Sequence, residues 1–273
     1  MKLSRAQAVA TTLTILPEVA STNDALRALA AELALAAKPT HFTVVVSPHQ
    51  TAGRGRLGRV WVSPPGATLA ISVLVAPGES GATIGPQQFG WFPLIAGVAM
   101  ARAVEAALTV AAPATVGIKW PNDVQISGAK VSGILTELIT DGARLIVGVG
   151  VNLDMRADQL PVPTATSLAI AGATLAGDEL ADLVVTEFLT HLRALTSEFI
   201  AHAGDAAASG VAAAVVARCT TIGAPVRVEF PDGRVTLGTA TGIDSTGRLL
   251  VQQPNYGPIV AVAAGDVTHL RYE

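Results

Sequence analysis

Apolar residues recur along this chain in two rhythms. Leu26, Leu29, Ala30, Leu33 and Ala37 fall on one face of a helix that is entered through Ser21, Thr22 and Asn23 and stopped by Pro39. Ser21 with Asp24 three residues on also fits a helix-capping pattern, so a cap is the first use to weigh for that serine. Two unbroken apolar runs, Phe42 to Val46 and Leu69 to Val75, have strand length and predict strands on either side of a loop. Pro93 to Leu108 predicts a long helix, proline being tolerated in a first turn. Four short apolar runs follow, Val116 to Trp120, Val124 to Ile126, Gly133 to Ile139 and Leu145 to Val151, separated by PND, SGAK and DGA turn signals. Helical spacing returns over Asp178 to His202 and Asp205 to Arg218. From Ile222 the texture changes to alternation between PDG and DSTG turns, which predicts a small β-barrel. The expected division is therefore a first domain over 1–218 and a small second one over 219–273.

Composition narrows the class. Half of the 273 residues are apolar and only 14% are charged, enough to bury a substantial core. The net charge of −3, with no basic arm, supplies no field to attract DNA. A single cysteine, Cys219, excludes an internal disulfide and any multi-cysteine zinc site, and is expected to be a small buried residue. The amino terminus lacks a signal-peptide pattern. Phe89 to Leu108 is interrupted by Pro93, Arg102 and Glu105, so it reads as a core helix and not as a membrane span. The expected location is cytoplasmic, with neither DNA nor membrane as partner.

Candidate chemistry concentrates in four places. In HQTAGRGRLGRVW, residues 49–61, three glycines and three arginines share the seven positions from Gly53 to Arg59. Backbone N–H groups and guanidinium forks there can converge on a phosphate or a carboxylate. Arg54, Arg56 and Arg59 alternate with the glycines, so they need not all point one way. Gly53, Gly55 and Gly58 have GxGxxG spacing, but SPPG and a strand follow where the dinucleotide fingerprint requires a helix. Like charges crowded at a glycine-rich turn cost stability unless an anion neutralises them. The second place is Lys119-Trp120-Pro121-Asn122-Asp123, readable as a site or as an edge-strand feature. The third is Lys130 between Gly128 and Gly133, an ammonium aimed at an anion or snorkelling to solvent. In the fourth, GVGVNL (148–153), two strand glycines admit close approach of another backbone or a flat ligand, and Asn152 is a turn residue or a hydrogen-bond partner. No HExxH, cysteine cluster or GxSxG elbow occurs, so zinc hydrolysis and serine-esterase chemistry have little support. Cations and amides suit the stabilisation of charge on phosphoryl oxygens.

The series STN (21–23), HQTAGRGRLGRVW (49–61), KWPNDV (119–124), AKVSGILTEL (129–138) and GVGVNL (148–153), in this order, resembles the biotin–protein ligases. The resemblance runs from about residue 15 to the end of the chain. It implies an α/β (α+β) fold: a mixed-sheet catalytic domain related to class II aminoacyl-tRNA synthetases, plus a small carboxy-terminal SH3-like β-barrel. It implies that biotin and ATP, with magnesium, form biotinyl-5′-AMP and pyrophosphate, and that biotin then passes to one lysine of a biotin carboxyl carrier domain of an acyl-CoA carboxylase.

Matched positions place Ser21, Thr22, Asn23 and Gln50 at the biotin head group. Gly53, Arg54, Gly55 and Arg56 match the loop over biotin and its carboxylate, with Lys130 and Gly133 beside that carboxylate. Arg56 and Lys130 are the implied catalytic residues and also face the nucleotide. Arg59, Lys119 and Asn122 match positions near the triphosphate, Trp61 one beside the adenine, and Asn152 one near the nucleotide. Asp123 is implied as a magnesium holder, with a turn-capping role equally open. Some members carry an amino-terminal helix-turn-helix repressor domain; the roughly twenty residues before Ser21 are too few for one. The expectation is a ligase without repressor function, a monomer or weak homodimer. Leu57 and KVSG depart from the commoner family residues without touching a matched ligand position. A lipoate–protein ligase is the nearest alternative, sharing fold and adenylate logic but lacking the GRGRLGR loop, and a nonenzymatic biotin or nucleotide sensor is the alternative from another class.

Overall fold

The computed structural model describes residues 1–81, 83–108, 114–139, 143–263 and 265–269. Its larger sheet contains β1 (Thr12–Ile15), β2 (Thr43–Ser47), β3 (Thr68–Val75), β4 (Val116–Lys119), β5 (Asp123–Ile126), β6 (Ala129–Leu138) and β7 (Leu145–Asn152), in the order β1-β2-β3-β7-β6-β5-β4. The β1–β2 pair is parallel and the other pairs are antiparallel, so the sheet is mixed, as expected.

The unbroken apolar runs are explained by helices on both faces. Every residue of β2 and β3 is buried. On one face Val44, Val46, Leu69, Ile71 and Val73 share one buried cluster with residues of α3 (Phe92–Ala107) and α4 (Gly177–Ala201); on the other Val45, Leu74 and Ile146 cluster with Leu26 and Ala30 of α2 (Thr22–Leu35). A strand covered on both sides has no polar face to alternate with. The segment Pro86–Ala107 is long and apolar enough to cross a membrane by composition, but 67% of that window is buried inside the protein. It is a core helix: α4 packs along α3, and the rings of Phe92 and Phe199 meet edge to face at 5.6 Å.

Two short elements lie outside the expected pattern, α1 (Ser4–Val9) and β1. The second helical pattern near the domain junction also shrinks, to α5 (Val211–Val216). Asp205 accepts hydrogen bonds from the backbone N–H groups of Ala207 and Ala208, and Gly210 adopts φ +74°, a left-handed geometry that interrupts a helix.

The expected small β domain is an antiparallel five-stranded sheet: β8 (Pro225–Glu229), β9 (Val235–Ile243), β10 (Leu249–Gln252), β11 (Ile259–Val262) and β12 (Asp266–His269), ordered β11-β10-β9-β8-β12. The connecting chain covers the outer edge of β4, where Ile118 N–H donates to the Arg218 carbonyl and Thr220 N–H to the Ile118 carbonyl. Cys219 is buried there, and burial pushes its thiol pKa up, fitting an inert residue. Two indoles pin the small sheet to the large one: Trp91 Nε1 donates to the Ser245 carbonyl at 2.9 Å and Trp120 Nε1 to the Gly247 carbonyl at 3.1 Å.

Candidate active site

The glycine-arginine loop leaves β2 and folds into a small hairpin. Gly55 N–H donates to the Arg59 carbonyl at 2.7 Å and Trp61 N–H to the Gly53 carbonyl at 2.9 Å. The tip, Leu57 (φ +55°) and Gly58 (φ +74°), is left-handed, and a glycine supplies half of it without strain. Turning the chain this way sends the three arginines to three walls. Arg54 reaches Asp24 and Glu137, Arg56 donates to Asn122 Oδ1 at 3.2 Å, and Arg59 pairs with Asp266 of β12.

The hairpin roofs a cleft that opens to solvent. The floor is backbone of β6 and β7. A Cβ at Gly148 would lie 2.9 Å from Asn23 Cγ, and one at Gly133 would lie 3.1 Å from Trp61 Cζ3. The two glycines of the GVGVNL run thus admit close approach, but of the chain's own side chains: Asn23 at Gly148, and Trp61 at Gly150, where a Cβ would lie 2.6 Å from Cζ2. One end wall is the first turn of α2. Ser21 is the residue before the helix, yet its side chain makes no capping bond. Thr22 donates to Gln50 Oε1 through its N–H (2.8 Å) and its hydroxyl (3.0 Å), and Ser72 Oγ donates to Asn23 Oδ1 at 2.6 Å. Thr22, Asn23 and Ser72 are buried and Gln50 is half-buried, and these amides and hydroxyls hold one another in fixed positions.

The opposite wall is cationic. Lys119 ends β4, and Asn122 is fixed by two bonds to Ile134, Nδ2 to its carbonyl (3.0 Å) and carbonyl to its N–H (2.9 Å). Lys130 Nζ is 2.7 Å from Asp123 Oδ1 and 5.7 Å from the centre of the Trp61 ring. Burial holds the Lys119 ammonium below its ordinary pKa, with Asp123 pulling it back and Lys130 and Arg59 adding to the fall. Burial likewise lowers the Arg56 guanidinium. With Arg54 neutralised by Asp24 and Glu137, four cationic side chains (Arg56, Arg59, Lys119, Lys130) and two carboxylates (Asp123, Asp266) line this part of the cleft, an excess of positive charge that suits anionic groups.

Most of the residues singled out in the sequence meet here: Ser21, Thr22, Asn23, Gln50, Arg54, Gly55, Arg56, Arg59, Trp61, Lys119, Asn122, Asp123, Lys130 and Gly133 all line the cleft. Gly53 and Asn152 stand behind the wall. A side chain at Gly53 would meet the Trp61 carbonyl at 2.7 Å, so that glycine serves the hairpin's closure. Asn152 Nδ2 donates to the Thr166 carbonyl at 2.8 Å, fastening the chain after β7. The sequence marks Asp24 only as the partner of Ser21 in a capping pattern, whereas it pairs with Arg54; Glu137 and Asp266 were not singled out. Strand parity offered a signal for one of them, since Glu137 shares its face of β6 with Gly133.

Comparison with known proteins now decides the family. A model described as the biotin/lipoate A/B protein ligase family matches residues 16–154, and a biotin protein ligase C-terminal domain model matches residues 221–270. Over 95% of this chain and 89% of the relative, the sequence is 37% identical to a biotin–[acetyl-CoA-carboxylase] ligase of Mycobacterium tuberculosis. The chain belongs to the biotin/lipoate A/B protein ligase family. A second ligase of this family, from Paracoccus denitrificans, is 31% identical over 80% of this chain and 88% of its own. The crystal structure of the Aquifex aeolicus biotin protein ligase in complex with biotin and ATP superposes with a TM-score of 0.70 at 26% identity, covering 96% of this chain and all of that one. The ligase fold therefore accounts for both sheets of this protein, including the small carboxy-terminal one.

Proposed function

We propose that this ligase activates biotin with ATP and transfers it to a lysine of a biotin carboxyl carrier domain. The observation that carries this is the cleft's division into two unlike ends: amides and hydroxyls at the buried Thr22 and Asn23 and the half-buried Gln50, and cations at Arg56, Lys119 and Lys130. A ureido head group matches the first, and a carboxylate facing a triphosphate matches the second. The full-length relatives are named as biotin ligases, which supports biotin over lipoate.

In the first step a biotin carboxylate oxygen attacks the α-phosphorus of ATP. The new P–O bond forms as the bond to the β-phosphate oxygen breaks, and pyrophosphate leaves. Two anions must approach, so Lys130 and Arg56 assemble the pair and offset charge that develops in the transition state. Lys119, Arg59 and Asn122 hold the departing phosphates. In the second step the carrier lysine, as free amine, attacks the acyl carbon, AMP leaves, and the amine proton is released. Magnesium travels with the phosphates in this proposal. The cleft's two carboxylates are each paired with a cation, Asp123 with Lys130 and Asp266 with Arg59, and no group of three metal-binding side chains occurs among the described residues. Asp123 would be the residue to hold a magnesium ion that comes with the phosphates, and the ion would offset charge on the phosphate oxygens. We further propose residues 1–218 as the catalytic domain and 219–273 as the small domain, working in the cytoplasm as a monomer or weak homodimer.

The test is pyrophosphate release from ATP with biotin, with lipoate, and with neither, followed by mass spectrometry of a carrier domain added to the mixture. Biotin-dependent release and a biotinylated carrier are expected. Release with lipoate alone, or none with biotin, overturns the proposal.

A further inference from the structure

Arg54 has its fork turned away from the cationic end of the cleft. Its Nη1 donates to Asp24 Oδ2 at 2.5 Å and its Nη2 to Asp24 Oδ1 at 2.8 Å, a two-bond grip on one carboxylate. Nη2 also reaches Glu137 Oε1 at 3.2 Å. Arg27 braces the same two acids from the helix side, at 2.8 Å to Asp24 and 3.0 Å to Glu137. Two guanidinium groups and two carboxylates thus close a neutral square. The Arg54 bond holds the Asp24 carboxyl below the usual carboxylate range, and the same bond raises the Arg54 guanidinium.

Three corners of that square belong to regular elements, Asp24 and Arg27 to α2 and Glu137 to β6; only Arg54 belongs to the glycine hairpin. Glu137 has a second duty. Its Oε2 accepts from Asn23 Nδ2 at 2.9 Å, and Asn23 is the side chain that covers Gly148 on the cleft floor.

We infer that Asp24 and Glu137 are positioning residues: an acidic clasp that seats the glycine-arginine hairpin over the cleft through Arg54 and, through Asn23, fixes the head-group wall at the same time. What the clasp governs rests on the ligase reading. An acyl-adenylate is a mixed anhydride that water or a stray amine consumes, so a seated roof retains the intermediate until the carrier arrives. Making the anhydride depends on the cations of the opposite wall, so the clasp controls retention more than formation.

The experiment uses the full chain and begins without ligand. Trypsin cleavage after Arg56 and Arg59 is timed in the parent protein, in Asp24→Asn/Glu137→Gln, and in Arg54→Gln, which opens the clasp from the loop side and leaves Asn23 held. Both variants are expected to be cut about fivefold faster in the hairpin, the scale of a partly exposed ion-pair network, while cleavage after Arg227 and Arg234 in the small sheet stays unchanged. Raising the salt concentration accelerates hairpin cleavage more in the parent than in the variants, which keep only the Arg59–Asp266 pair on this hairpin to be screened. Biotinyl-adenylate made from biotin and ATP is then trapped in solution with hydroxylamine, and about fivefold more escapes from the variants. Hairpin cleavage unchanged, every site accelerated alike, or equal escape each overturns the inference. Because the cleavage arm needs no biotin, failure of the ligase reading shows separately, as absence of adenylate in the parent protein.

Discussion

The indole of Trp61 rests against the backbone of Gly150: a methyl group added there would lie 2.6 Å from Cζ2 and 2.7 Å from Nε1. The indole N–H is buried without a partner among the described residues, an arrangement that costs about 1–3 kcal/mol in a folded protein. The glycine therefore exists for the tryptophan, and the hairpin carrying Trp61 descends as far as it does because Gly150 and Gly133 leave room.

Gly150→Ala tests this directly. Gly150 is not in the left-handed region, so alanine is free to adopt its backbone and the whole cost is steric. The indole is expected to lift out and the hairpin with it. Trp91 and Trp120 remain buried, their N–H groups donating to carbonyls of the small sheet, so a red shift in tryptophan emission reports Trp61. Biotin-dependent pyrophosphate release is expected to fall at least about tenfold, as for a displacement of about 1 Å at a catalytic wall. Unchanged emission counts against the packing described.

Lys130→Ala is expected to cut adenylate formation by about 100-fold or more, the usual loss when one positioned charge at a phosphoryl or oxyanion site is removed. The fold is expected to survive, because the Lys130 side chain is one-third exposed and its ion pair with Asp123 lies at the cleft and not in the core. Single-turnover measurement of biotinyl-adenylate checks it; a normal rate removes Lys130 from the chemistry.

Local pattern carried much of this site and long-range pairing carried the rest. The STN turn, the glycine hairpin, the KWPND turn and Lys130 are each short motifs whose chemistry is visible in a few consecutive residues, and the fold does bring them to one cleft. The partners of the arginines were invisible. Arg54 meets Glu137 across 83 positions, and Arg59 meets Asp266 from the other sheet. No spacing rule links such pairs; only the strand order does. Asn152 illustrates the converse, since a motif residue at a strand end was spent on fastening Thr166. Among the elements, β1 went unread because it is four residues long and half-buried, too short to show a period. The stretch from Asp205 was over-read because alanine-rich spacing favours helix, while Asp205 and Gly210 divert the backbone.

The proposed place of Lys119 beside the phosphates predicts a nucleotide step that is sensitive to alkali. Burial lowers its pKa in the folded protein below the ordinary 10.5. Between that lowered value and 10.5 the unfolded chain binds more protons at this site than the folded one, so for the empty protein stability rises with pH across this window. Phosphate binding has the opposite sign, because only the ammonium attracts it. KM for ATP is therefore expected to climb as pH rises through the lowered pKa. Lys119→Arg keeps its charge far above that range, so the climb moves to higher pH. Coincident KM–pH curves for the two proteins would show that this lysine does not face the phosphates.

Trp91 tests how firmly the small sheet is held. Its indole is 1% exposed and donates to Ser245 in the β9–β10 turn, while Trp120 holds Gly247 in the same turn. The approach is close enough that a Cβ at Gly247 would lie 2.8 Å from the Gly90 carbonyl oxygen. Trp91→Phe deletes the donor and part of the ring, leaving the Ser245 carbonyl without its donor and a space that phenylalanine does not fill. Ser245 itself is exposed, so its freed carbonyl is hydrated and the lost hydrogen bond costs about 0.5–1.5 kcal/mol; the volume vacated around the buried indole adds to it. At roughly 2–4 °C per kcal/mol for a protein approaching this size, Tm is expected to fall by about 3–10 °C. If the turn is a shared anchor, the denaturant midpoint drops while the slope of the transition stays constant, because both sheets still unfold together. Adenylate formation at 25 °C should change little, since Trp91 does not line the cleft. A split into two transitions would instead mean that this one hydrogen bond coupled the sheets, and an unmoved Tm would mean that Trp120 alone holds the turn.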